Sequence, residues 1–187
     1  MIRQLVCACA LVFSGIASAA PAEVLIIRHA EKPKSGPHLN DRGRQRAEAL
    51  VKFFETSPAM TRFGTPVAIY GAAPKKDGGS VRSIETVTPL AKDLGLDVDQ
   101  DYTKKEVDDA AREILHDHRY DGKMVLLAWE HKKIPDLAAA FGADDAPDEW
   151  NGDDVFDRVW VLDFDDDGNV ASFRDLPQHL LPGDSER

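Results

Sequence analysis

The chain is poor in cysteine and in positive charge, and each shortage removes a class of chemistry. It has two cysteines, Cys7 and Cys9, so nothing after the first nine residues offers a thiolate nucleophile, a thiolate metal ligand or a disulfide. With 23 basic against 33 acidic residues the formal charge is -10, which argues against a general nucleic-acid binder. A small anion stays possible, because a few arginines in a cleft outweigh the global field locally. The longest apolar stretch, Leu5 to Ile16, falls short of the roughly 20 residues that cross a bilayer.

That stretch sits inside a segment that reads as a secretory signal peptide. Arg3 supplies the positive start, Leu5 to Ile16 the apolar region and Ala17-Ser18-Ala19 the small-x-small cleavage site. The competing reading is a buried N-terminal helix; a lipid anchor on Cys7 or Cys9 is disfavoured because no full apolar region precedes either. The expectation is therefore cleavage after Ala19, a periplasmic or secreted protein without a stable membrane anchor, and one domain over residues 20–187. Loss of Arg3 with the leader takes the formal charge from -10 to -11.

Three short apolar runs read as buried strands: Glu23 to Arg28, Pro66 to Gly71 and Lys123 to Trp129. Helical patterns alternate with them, over Asp41 to Glu55 with Asn40 as N-cap, Ser83 to Leu94 with Gly95 as C-cap, Lys105 to His118, and Ile134 to Phe141. Asp97-Val98 reads as a short edge strand, and Asp157 to Asp175 as a closing hairpin around Asp165 to Asn169. The predicted class is α/β: a three-layer αβα sandwich, mostly parallel, with helices on both faces and a C-terminal hairpin.

Ligands of open α/β sheets bind beyond the carboxyl ends of the strands. Arg28-His29 ends the first strand, Arg82 follows the second strand's loop at the start of a helix, and His131 follows the third strand. A parallel sheet brings these four residues together into an anion pocket. A lone Arg-His pair carries little weight; the same address repeated three times carries much more.

These residues carry a family resemblance. Leu25-Ile26-Ile27-Arg28-His29-Ala30-Glu31 resembles the signature of the histidine phosphatase superfamily, the phosphoglycerate-mutase-like phosphatases. Leu39-Asn40-Asp41-Arg42-Gly43, Arg82-Ser83-Ile84-Glu85-Thr86, Val125 to His131 and the ending Pro177 to Asp184 resemble its later segments, in the expected order. The resemblance implies a phosphomonoesterase in which His29 attacks phosphorus and forms a phosphohistidine. Arg28 and Arg82 would hold the non-bridging oxygens and His131, as an imidazolium, would add a donor. It also implies a small phosphorylated substrate and no metal or other cofactor. The alternative is a weakly catalytic phosphate- or phosphosugar-binding protein of the same fold. A mutase is disfavoured, since no long insertion supplies an enclosing lid.

The acid that protonates the leaving oxygen has two candidates. Glu106 has the family's order along the chain but sits in a charged helix start; Glu130 abuts His131 but, within a strand, would face the other way. Where many relatives carry a small residue, this chain has Trp129-Glu130. Other features read as structural: Asp163-x-Asp165-x-Asp167-Gly168 as a turn rather than a calcium loop, His116 and His118 as surface, His38 as a pocket-mouth residue, and the three tryptophans as packing.

Overall fold

The structure, a computed structural model, describes residues 20–185; the predicted leader 1–19, with its cleavage site and both cysteines, lies outside the described residues. Strands β1 (Glu23–Arg28), β2 (Ala68–Gly71), β3 (Val98–Asp99) and β4 (Met124–Trp129) are parallel. β5 (Arg158–Phe164) runs antiparallel to β1, and β6 (Val170–Pro177) completes the hairpin in a sheet of order β3-β2-β4-β1-β5-β6. Helices α1 (Asp41–Thr56) and α2 (Arg82–Leu94) cover one face, α3 (Val107–His116) and α4 (Ile134–Ala140) the other. This is the expected three-layer sandwich.

The apolar runs lack polar alternation because both faces of the sheet are covered. In β1, Val24 and Ile26 pack toward α3 and α4, while Leu25 and Ile27 pack toward α1 and α2, all without exposed surface. β4 alternates in the same way, with Val125, Leu127 and Trp129 opposite Met124, Leu126 and Ala128. Full burial of each such aliphatic side chain stabilises the fold by about 1.5–3 kcal/mol.

The helix ends follow their sequence signals. Asn40 accepts the Gly43 N–H at 2.8 Å, and Gly95 ends α2 at φ 68°. α3 is shorter than its apolar pattern suggests. Its start is set where the Glu106 carboxylate takes the Thr103 N–H at 2.8 Å, and its end where Asp117 caps a separate 3-10 turn, His118–Tyr120. The acidic run between β5 and β6 is a turn: Asp165 Oδ1 accepts the N–H groups of Asp167 (3.0 Å) and Asn169 (2.8 Å), and Gly168 has φ 81°. The tryptophans pack as expected, Trp150 and Trp160 with ring centres 5.3 Å apart.

Candidate active site

The order β2-β4-β1 places three strand ends side by side, with Arg28 in register with Trp129 and Gly71 with Ala128. The pairing continues past the strands, since His29 N–H donates to the Trp129 carbonyl (2.9 Å) and Ala72 N–H to the Ala128 carbonyl (3.1 Å). His29, Arg82, Glu130 and His131 all line one cavity of about 370 Å³ above these ends.

His29 is buried, with 4% of its surface exposed, and its Nδ1 lies 2.8 Å from the Ala30 carbonyl. A carbonyl only accepts, so Nδ1 carries the proton and Nε2 keeps a lone pair with no partner among the described residues. Burial above all, joined by the charges of Arg28 and Arg82, pulls the imidazole down to about 4. It is therefore neutral at physiological pH, the form a nucleophile needs.

Arg28 is 1% exposed. Its Nη1 donates to the carbonyls of Gly152 (3.2 Å) and Val155 (2.8 Å), and its guanidinium lies 3.9 Å over the Phe156 ring. Nε and Nη2 have no partner among the described residues. These two atoms form one edge of the planar group, which fits two oxygens of an oxyanion. Arg82 opens α2 and donates through Nε to the His38 carbonyl (3.2 Å) and through Nη2 to the Gly36 carbonyl. Its remaining nitrogen, Nη1, has no partner among the described residues. Glu85, one turn on, takes the Leu39 N–H at 2.8 Å and pairs with His38 Nδ1 at 2.6 Å. His38 thus braces the loop instead of lining the cavity.

His131 lies in a 3-10 turn, His131–Lys133, that begins once β4 has ended. The strand's alternation no longer holds there, so Glu130 and His131 line the same cavity. His131 Nε2 is 2.8 Å from Asp153 Oδ1, and its Nδ1 stands 3.4 Å from Glu130 Oε1. Burial lowers the His131 pKa more than Asp153 and Glu130 raise it. The free protein thus favours a neutral ring, where the sequence reading has an imidazolium; the negative charge of a bound phosphate works toward that cation. Glu106 is exposed, is held charged by hydrogen bonds from Thr103, and is not among the residues lining the cavity.

Three supports were not legible from spacing. Thr86 Oγ1 accepts the Ala30 N–H (2.8 Å) and donates to the Arg82 carbonyl (2.7 Å), locking the loop after His29 to the helix that carries Arg82. Asp153 reaches His131 from a loop 22 residues away. Buried Arg46 binds Glu31 through Nε (3.0 Å) and Nη2 (2.8 Å) and Asp184 through Nη2 (2.7 Å) and Nη1 (2.9 Å). Arg42 bridges the same two carboxylates. Thr86 and Asp184 stand inside quoted motifs; Asp153 has no sequence signal.

No protein-family model matches the sequence, and no match was found among curated proteins. Solved structures do match. The protein histidine phosphatase SixA complexed with tungstate aligns at TM-score 0.53 and 13% identity, over 83% of this chain and 97% of that one. A protein from Agrobacterium tumefaciens, assigned as the phosphohistidine phosphatase SixA, aligns at TM-score 0.50 and 16% identity, over 83% and 96%. The chain has the fold of the histidine phosphatases that its motifs resemble.

Proposed function

We propose that this chain is an exported phosphomonoesterase of the histidine phosphatase superfamily, acting through a phosphohistidine on His29. The observation that carries the reading is the neutral His29 at the wall of a cavity that it shares with Arg82 and His131, next in the chain to Arg28, whose buried Nε–Nη2 edge has no partner among the described residues. Tungstate, bound by one structure of this fold, is a tetrahedral oxyanion like phosphate. Export rests on the leader sequence alone.

In this reading the phosphoryl oxygens lie against Arg28, Arg82 and His131, and His29 Nε2 attacks phosphorus in line. The ester P–O bond breaks, and Glu130 gives its proton to the leaving oxygen. The Glu130 carboxylate then takes a proton from water, which attacks the phosphohistidine; the N–P bond breaks and phosphate is released with His29 neutral again. Glu130 is assigned this part because it lines the cavity and Glu106 does not.

The test is hydrolysis of an aryl phosphate with acid-quench trapping of labelled phosphate. Turnover that disappears in His29→Ala, with label on histidine in the unaltered protein, is expected. Phosphate binding without turnover or label would replace the enzyme by the binding protein. Glu130→Gln is expected to slow poor leaving groups at least about tenfold more than good ones, a typical weight for a general acid.

A further inference from the structure

Five of the chain's eleven lysines, Lys32, Lys75, Lys76, Lys104 and Lys105, line the candidate active-site cavity. The cavity holds one carboxylate, Glu130, which Lys104 approaches at 3.3 Å. The ammonium groups of the other four make no ion pair or hydrogen bond with a described residue, in a chain whose formal charge is -10. A solvated lysine loop on an acidic protein ordinarily finds carboxylates nearby. Here Asp77 and Glu106 follow the lysines in the chain, but neither is among the residues that line the cavity and neither pairs with a rim lysine.

The rim is also built. Lys75-Lys76 and Lys104-Lys105 lie on two loops joined by a parallel bridge between Ala73 and Thr103, with Ala73 N–H donating to the Tyr102 carbonyl at 2.8 Å. The buried Trp129 indole donates to the Lys104 carbonyl at 3.0 Å, fastening the second loop to the end of β4. Trp129 thereby ties the lysine rim to the strand that leads into Glu130 and His131. The phosphoryl site proper is already served by Arg28, Arg82 and His131, and a cavity of about 370 Å³ exceeds one phosphate.

From this geometry we infer that the lysine rim is a subsite for a second anionic group, so that the substrate is a small polyanion: a phosphomonoester bearing at least one further phosphate. The inference rests on the phosphatase reading for the word substrate, but its binding part stands apart from turnover. An acidic protein surface fits less well, because the chain's own net negative charge opposes it.

Calorimetric binding of inorganic phosphate, pyrophosphate and tripolyphosphate tests the subsite. Pyrophosphate or tripolyphosphate is expected to bind roughly tenfold or more tightly than phosphate at low salt, with the gap narrowing as ionic strength rises. In the Lys75→Gln, Lys76→Gln, Lys105→Gln triple variant the gap is expected to fall to about twofold. A control of equal charge loss, Lys52→Gln, Lys92→Gln and Lys123→Gln on exposed surface outside the cavity, is expected to keep it. Equal affinity for all three anions, an unchanged gap in the rim variant, or equal loss in the control would overturn the subsite. Absence of aryl phosphate hydrolysis with the gap intact would instead overturn the phosphatase and leave a polyanion-binding site.

Discussion

At the scale of the residue, burial decides what His29 is. An exposed histidine is half charged near pH 6.5, but desolvation above all, with the Arg28 and Arg82 cations adding, brings this ring down to about 4. The free-enzyme profile of kcat/KM, corrected for ionisation of the substrate, is expected to keep its His29-dependent acid limb near pH 4. A limb near 6.5 from His29, located by NMR titration of the ring, would contradict the burial argument. Arg28 shows the same logic from the cationic side. Buried in the sheet, it spends one nitrogen on Gly152 and Val155 and keeps Nε and Nη2 unpaired, an arrangement costly in an apolar core and useful beside an anion.

At the scale of the element, close approach of α1 to the loop after His29 positions that loop. A Cβ on Gly43 would stand 2.3 Å from the Glu31 carbonyl oxygen and 2.9 Å from its nitrogen, both backbone atoms that cannot swing away. Helix propensity alone would make Gly43→Ala stabilising by up to about 1 kcal/mol. The clash is the larger effect, so a net loss of roughly 1–3 kcal/mol in denaturant unfolding is expected, with activity reduced as the loop moves. A gain in stability would show that the loop gives way freely. Gly71 makes the corresponding approach from β2, where a Cβ would meet Ile84 Cα of α2 at 3.0 Å.

At the scale of the whole molecule, the end of the sheet opposite the cavity holds a buried carboxylate. Glu23 opens β1 without exposed surface, pairs in register with Asp163, and shares Arg174 with it. Burial, with the Asp163 carboxylate adding, raises its pKa to about 7. A carboxyl whose folded pKa exceeds its unfolded one stabilises fully below the unfolded value near 4.5 and loses that contribution as pH rises through about 7. Glu23→Gln, which keeps the shape, is therefore expected to gain on the unaltered protein between pH 4.5 and 7, by on the order of 1–3 kcal/mol at pH 8. Parallel melting curves for the two proteins across that range would refute the assignment.

Unbroken apolar runs placed the central strands and apolar stripes the helices, because burial on both faces of a sheet leaves a continuous run and burial on one face of a helix leaves its period in the chain. The sequence by itself determined that Arg28-His29 stands at the end of β1 and that Glu130-His131 follows β4, and that Asn40 and Gly95 punctuate helices. Tertiary structure alone decided the strand order that brings those ends together. It also put Glu130 at the cavity, through the turn that begins after Trp129, and left Glu106 outside its lining, held by the Thr103 N–H. The contacts of Arg28 with Val155, of His131 with Asp153 and of Arg46 with Asp184 span 127, 22 and 138 residues. Local period carries no record of such pairs, because the partners are chosen by the packing of whole elements and not by their neighbours along the chain.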